Sequence, residues 1–168
     1  PLDEAIAACG TEDDPLSRYA KIDEVPYDFV RKRLSVVVRE EGAADDLMIC
    51  KGAVRNVVEA CSTVQVGTAS EPLDATWARA IEEKVRAWSL EGYRVLGLAV
   101  RRLPRRDSYR RDDEADLAFA GFLLFLDPPK PGMAETLKAL GQRGIGIKVI
   151  SGDNRYVAAH LAEAIGLR

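Results

Sequence analysis

Tyr27 is followed five residues later by Lys32, inside the basic triplet Arg31-Lys32-Arg33, and a second lysine, Lys51, stands immediately before Gly52. A ring offers a stacking face to a base, and cations suit a polyphosphate through charge-assisted hydrogen bonds. Gly52, with no Cβ, permits close approach of backbone to a ligand. Arg94 adds a third cation near a strand edge. The same residue types also describe a half-buried packing ring beside solvated charges, so at this level the nucleotide cleft and the packed ring both stand.

Other chemistries find little to work with. His160 is the single histidine and falls within an expected helix among apolar neighbours, as a helix residue rather than a catalyst. Cys9, Cys50 and Cys61 lie inside expected elements at spacings that suit neither a zinc site nor a disulfide framework, as reduced core residues of a cytosolic protein do. There is no Gly-x-x-x-x-Gly-Lys-Ser/Thr loop and no Gly-x-Ser-x-Gly elbow. No catalytic residue and no metal ligand is therefore assigned. Hydrophobic residues at 47% and charged residues at 30% place the 168-residue chain among soluble globular proteins rather than disordered ones. A net charge of −3 supplies no field for nucleic acid. The six arginines between Arg101 and Arg111 are interleaved with or followed by Asp107, Asp112, Asp113, Glu114 and Asp116, as in a solvated, internally paired loop. The longest apolar run, Leu117–Leu126, is about half the roughly 20 residues of a membrane-spanning helix.

The elements that must position these residues follow from patterning. Pro1–Cys9 reads as a short helix with Asp3 and Glu4 in its first turn. Lys21–Val25 and Leu34–Glu40 read as strands around the Pro26 bend, Leu47–Lys51 as the next strand, and Val54–Cys61 as a helix begun after Gly52. A polar stretch leads to a helix over Ala75–Glu91, capped by Asp74 and closed by Gly92, with Trp77, Ile81, Val85 and Trp88 on one face. Arg94–Arg101 and Leu117–Leu126 are strands. After Asp127-Pro128-Pro129 the character changes: a helix over Pro131–Arg143, an apolar strand Ile145–Ile150, a turn Ser151–Asn154 and a helix to Ile165 form a piece of an open α/β sheet. Ligands of such sheets bind beyond the strands' carboxyl ends, where Ser151–Asn154 falls.

Taken together, the motifs resemble the cytosolic nucleotide-binding (N) domain of a P-type ATPase. Tyr27 through Lys32 to Leu34-Ser35-Val36 is similar to the family's aromatic, lysine and Met/Leu-Ser-Val pattern. Lys51-Gly52-Ala53 matches the start of its Lys-Gly-Ala-Pro-Glu motif, and Arg94-Val95-Leu96 its Arg-Val-Leu segment. Asp127-Pro128-Pro129-Lys130 resembles the hinge into the phosphorylation (P) domain, and Ser151-Gly152-Asp153 the family's Thr-Gly-Asp. These five matches occur in family order along the whole chain. The Ile49-Cys50-Lys51-Gly52-Ala53 and Phe125-Leu126-Asp127-Pro128-Pro129-Lys130 segments look most like bacterial magnesium-transporting members.

The resemblance implies an α+β fold, an antiparallel sheet flanked by helices, followed by a partial α/β segment like that of haloacid dehalogenases. It implies an N domain over residues 1–126, a hinge over 127–130 and part of a P domain over 131–168. It also implies ATP, with Mg2+ in the parent enzyme, as the ligand. Tyr27 would stack on adenine, Lys32 and Lys51 line the pocket beside Gly52, Arg94 reach the ribose or β-phosphate, and Asp3 lie near the base. Asp127, Gly152 and Asp153 would belong to the P-domain side. The implied partners are the P, actuator and transmembrane parts of the same ATPase, placing the chain as a cytoplasmic domain of an inner-membrane protein. Val54-Arg55 replaces the usual Pro-Glu, and the segment with the phosphorylated aspartate is absent. The expectation is an excised piece that binds ATP without turning it over. The alternatives are a regulatory or interaction module on the same fold and an ATPase of different ion specificity.

Overall fold

Val36, Val37 and Val38, the apolar run Leu47–Cys50 and the apolar Leu117–Phe125 are the strongest strand signals, and all three lie in one sheet. The computed structural model describes residues 4–6, 15–152 and 154–167. The strands are β1 (Tyr19–Val25), β2 (Arg33–Glu40), β3 (Asp45–Ala53), β4 (Cys61–Val66), β5 (Ala69–Pro72), β6 (Arg94–Pro104) and β7 (Leu117–Phe125). The helices are α1 (Val54–Val58), α2 (Ala75–Leu90), α3 (Met133–Gln142) and α4 (Arg155–Ala164). The seven strands run in the order β1-β2-β3-β6-β7-β4-β5. Pairs β1–β2, β2–β3, β3–β6 and β4–β5 are antiparallel, whereas β4 lies parallel to β7. The sheet is therefore mixed rather than antiparallel throughout.

The chain divides into two compact units, one of residues up to Ala78 with Leu96–Leu123, the other Arg79–Val95 with Leu124–Arg168. In the first, β3 alternates strictly: Asp46, Met48, Cys50 and Gly52 are buried, and the residues between them are half-covered. Val37, Met48, Cys50, Ala99, Leu117 and Phe119 are almost wholly buried, and α1 adds Val57. α1 comes down close on the sheet because β6 has a glycine there. A Cβ on Gly97 would lie 3.2 Å from both Val54 Cα and Val57 Cβ, and 3.3 Å from the Phe119 ring.

The other end of this sheet is riveted by a buried carboxylate. Asp46 accepts two bonds from the Arg39 guanidinium, at 2.7 and 2.8 Å, and one from the Tyr109 hydroxyl at 2.7 Å. These donors, Arg39 first, hold the Asp46 carboxyl down at about 2. Tyr109, itself buried, also donates its N–H to Asp23 at 2.7 Å, so the loop after β6 is tied to β1 and β3. The arginines of that loop find partners in the chain: Arg102 with Glu40, Arg106 with Asp113, Arg101 with Asp116.

Two elements differ from the expectation. Val54–Cys61 is not one helix: α1 ends at Val58, and Cys61 opens β4, which turns at Gly67-Thr68 into β5. β5 is exposed along its whole length and contains Pro72, so no apolar alternation announces it. Ile145–Ile150 is not a strand, and among the described residues after β7 there is none. A strand needs neighbours for its N–H and C=O groups, and the described residues after β7 supply no other strand. Ile145, Val149 and Ile150 accordingly remain exposed.

In the second unit, Asn154 caps α4 by accepting from Tyr156 and Val157 N–H at 3.0 and 3.1 Å. Its amide donates to the buried Ser89 hydroxyl at 3.0 Å. Gly92, at φ 90°, leaves room for His160, whose Cδ2 stands 2.5 Å from where a Cβ would be. Among the described residues no helix is long and apolar enough to cross a membrane.

Candidate functional site

The β1–β2 connection, residues 26–32, is shaped by one aspartate. Asp28 Oδ1 accepts from the N–H groups of Val30 and Arg31 at 2.9 and 2.7 Å, and its carbonyl accepts from Lys32 N–H at 2.8 Å. The Arg31 N–H bond is the main reason the Asp28 carboxyl sits below the usual carboxylate range. Arg31 folds back on this turn, pairing with Asp28 and donating to the Pro26 carbonyl at 2.8 Å. Lys32 then takes up φ 50°, a left-handed conformation that costs a side-chain-bearing residue about 1–2 kcal/mol. Its carbonyl is held by Ala53 N–H at 2.9 Å.

The β2–β3 register delivers the second lysine to the same place. Arg33 pairs with Gly52 and Leu34 with Lys51. A Cβ on Gly52 would collide with the Lys32 carbonyl oxygen and lie 2.6 Å from Arg33 Cα. The close approach that Gly52 permits is thus occupied by the chain's own loop. Tyr27 is 48% exposed, and the exposed Phe29 meets its ring edge-on, with centroids 5.6 Å apart and planes at 88°. Lys32 is exposed and Lys51 half-covered. An accessible ring and two cations at one end of the sheet can take up a flat, anionic ligand.

The arginines flanking Lys32, and the carboxylate they share, were not among the expected site residues. Arg31 Nη1 and Arg33 Nε both donate to Glu114, which also accepts from Ser35 Oγ at 2.7 Å. The one signal for them in the sequence is their place on either side of Lys32 in the basic triplet. Cys50 lies beside Ser35 in the same core, and burial raises its thiol above the usual range.

Arg94 and Asp127 belong to the second unit. There both line a concavity of about 190 Å³ with Gly92, His160 and the Pro128-Pro129 pair. His160 is on α4, its Nδ1 3.2 Å from the Leu90 carbonyl. Gly152 lies exposed in the bend before α4. Asp3 and Asp153 lie outside the described residues. No group of three or more His, Cys, Asp or Glu is placed to hold a metal ion among the described residues.

Residues 5–132 match the family model described as P-type ATPase, cytoplasmic domain N. The chain belongs to that family. This N-domain chain is 40% identical over 171 residues to the protein named Magnesium-transporting ATPase, P-type 1 of Escherichia coli (strain K12), covering 99% of the chain and 19% of that protein. It is 40% identical over 151 residues to the protein of the same name in Salmonella typhimurium (strain LT2), covering 89% of the chain and 17% of that protein. More distant is the Sodium/potassium-transporting ATPase subunit alpha-2 of Gallus gallus, 26% identical over 170 residues, covering 95% of the chain and 17% of the relative. The N-domain chain thus spans less than a fifth of the length of these curated relatives.

Proposed function

We propose that this chain holds ATP for a P-type ATPase that moves a cation, magnesium in the first instance, across a membrane. The observation that carries the reading is the β2–β3 register, which sets Lys51-Gly52 against the Lys32-Arg33 backbone at the foot of the Tyr27 loop. In this reading Tyr27 stacks on the adenine, and Lys32 and Lys51 bind the anionic part of the nucleotide. Arg94 and Asp3 are carried as nucleotide contacts by the family resemblance alone. The module positions ATP so that its terminal phosphate can pass to an aspartate elsewhere in the ATPase, and positioning is most of what phosphoryl transfer requires of a protein. Magnesium enters as part of the nucleotide substrate. Residues 1–126 are the N domain, Asp127–Lys130 the hinge, and residues 131–168, with Gly152 and Asp153, the beginning of the P-domain side. The partners are the remaining domains of the same ATPase, and the place of work is the cytoplasmic face of the membrane. Magnesium as the cargo is supported by the names of the bacterial relatives.

Calorimetric or NMR titration with ATP tests the ligand. A solvent-exposed stack and a few screened cations give saturable binding on the order of 0.1–1 mM. Tyr27→Ala weakens ATP and adenosine alike, and Lys51→Ala weakens ATP more than adenosine. A folded sample that takes up no ATP at several millimolar sinks the reading and leaves a regulatory module on the same fold.

A further inference from the structure

Lys32 stands between two arginines that converge on one carboxylate. Arg31 Nη1 and Arg33 Nε reach the same oxygen, Glu114 Oε2, the second at 3.0 Å, while Ser35 Oγ donates to Oε1 at 2.7 Å. The Glu114 side chain is wholly buried and the two arginine side chains are each 14% exposed, yet Lys32 between them is exposed. Each arginine has a further anchor: Arg31 on Asp28 and the Pro26 carbonyl, Arg33 on the Asn56 carbonyl at 2.8 Å. The two guanidinium groups are paired with Asp28 and Glu114, and Arg111 also approaches Asp28, at 3.9 Å.

A buried ion pair is a poor device for stability, because apolar residues of similar volume do as well or better. What a buried, fully donated carboxylate does well is fix geometry. Glu114 arrives from the far loop before β7 and pins the residues on both sides of Lys32 to one point. Between these two held arginines the Lys32 backbone is left-handed, its N–H on the Asp28 carbonyl and its carbonyl accepting from Ala53 N–H.

We propose that Glu114 is a positioning residue of the nucleotide site, clamping Arg31 and Arg33 so that Lys32 and the Tyr27 loop are set before ligand arrives. The clamp's effect on ligand rests on the nucleotide reading above, whereas its effect on the loop does not. Pre-set groups lose less freedom on binding, so the clamp acts on affinity without touching ATP.

The test compares the wild-type chain, Glu114→Gln and Val64→Ala by amide hydrogen exchange and by ATP titration. Val64→Ala is the control for lost stability alone, since Val64 is buried in β4 opposite Phe119 of β7, on the side of the sheet away from β1 and β2, and belongs to neither the Glu114 nor the Tyr109 network. In folded Glu114→Gln, the Lys32 and Ala53 amides lose protection relative to the β3 core, and ATP binds about tenfold more weakly. Val64→Ala keeps both the relative protection and the affinity. Wild-type affinity in folded Glu114→Gln overturns the proposal, whether or not protection changes. Should Glu114→Gln fail to fold, Arg31→Lys decides. It keeps the charge but loses the planar fork that spans Asp28, Glu114 and Pro26, so it shows the same loss in smaller degree, and unchanged ATP affinity overturns the clamp. If the wild-type chain binds no ATP, the nucleotide reading falls by itself, and unchanged protection in the variants then removes the clamp as well.

Discussion

At the scale of the residue, Gly52 is the tightest point of the candidate site. Its φ is unremarkable, so the reason for glycine is space: any Cβ meets the Lys32 carbonyl and Arg33 Cα, both backbone atoms that cannot swing aside. Gly52→Ala is therefore expected to push β2 away from β3 at the base of the loop and to cost about 1–3 kcal/mol, read as a lower urea midpoint. A midpoint within experimental scatter of the wild type would mean that the strands part without strain. Glycine, the ring and the two lysines were legible in the sequence because each is unusual in kind and stands at a characteristic spacing. Glu114 was not. In the sequence it is one of several acids in a charged loop, and nothing in a linear pattern marks the one that is swallowed into the core. Burial of that carboxylate is decided by where Arg31, Arg33 and Ser35 arrive from 79 or more positions away.

At the scale of the element, legibility follows how much of each strand's stability lies in its own side chains. β2, β3, β6 and β7 carry β-branched and apolar residues and were readable nearly to their ends. The β4–β5 hairpin was not, because β5 is held by its ladder with β4 and by the turn at Gly67 rather than by a buried face. The Asp46 network joins β2, β3 and the loop after β6, and its energetics make a pH prediction. The folded pKa, about 2, lies below the ordinary 3.8, so the contribution is fully present above the ordinary value and disappears as pH falls from about 4 through about 2. Urea midpoints followed across that range should fall in the wild-type chain. In Asp46→Asn the same fall should be shallower, because the group that takes up the proton is gone. Parallel slopes in the two proteins would assign the acid sensitivity to other carboxylates.

At the scale of the whole molecule, the C-terminal third shows that a sequence pattern specifies a strand only when a sheet is there to receive it. Ile145, Ile147, Val149 and Ile150 have the composition of a buried parallel strand, yet Ile150 is 97% exposed and the run pairs with no strand. The chain spans less than a fifth of the length of its curated relatives, and among its described residues no strand follows β7. The amides of residues 145–150 are therefore expected to exchange near the rate of open chain, while those of β2, β3 and β6 are protected to the level of global unfolding. The comparison is internal to one sample, so it does not depend on knowing the total stability. Protection in 145–150 that rises with protein concentration would mean that the run pairs with its copy in a second molecule, as an unpaired apolar strand edge tends to do. Protection independent of concentration and equal to that of β3 would mean instead that the run is already in a sheet, and the strand read from the sequence would be restored.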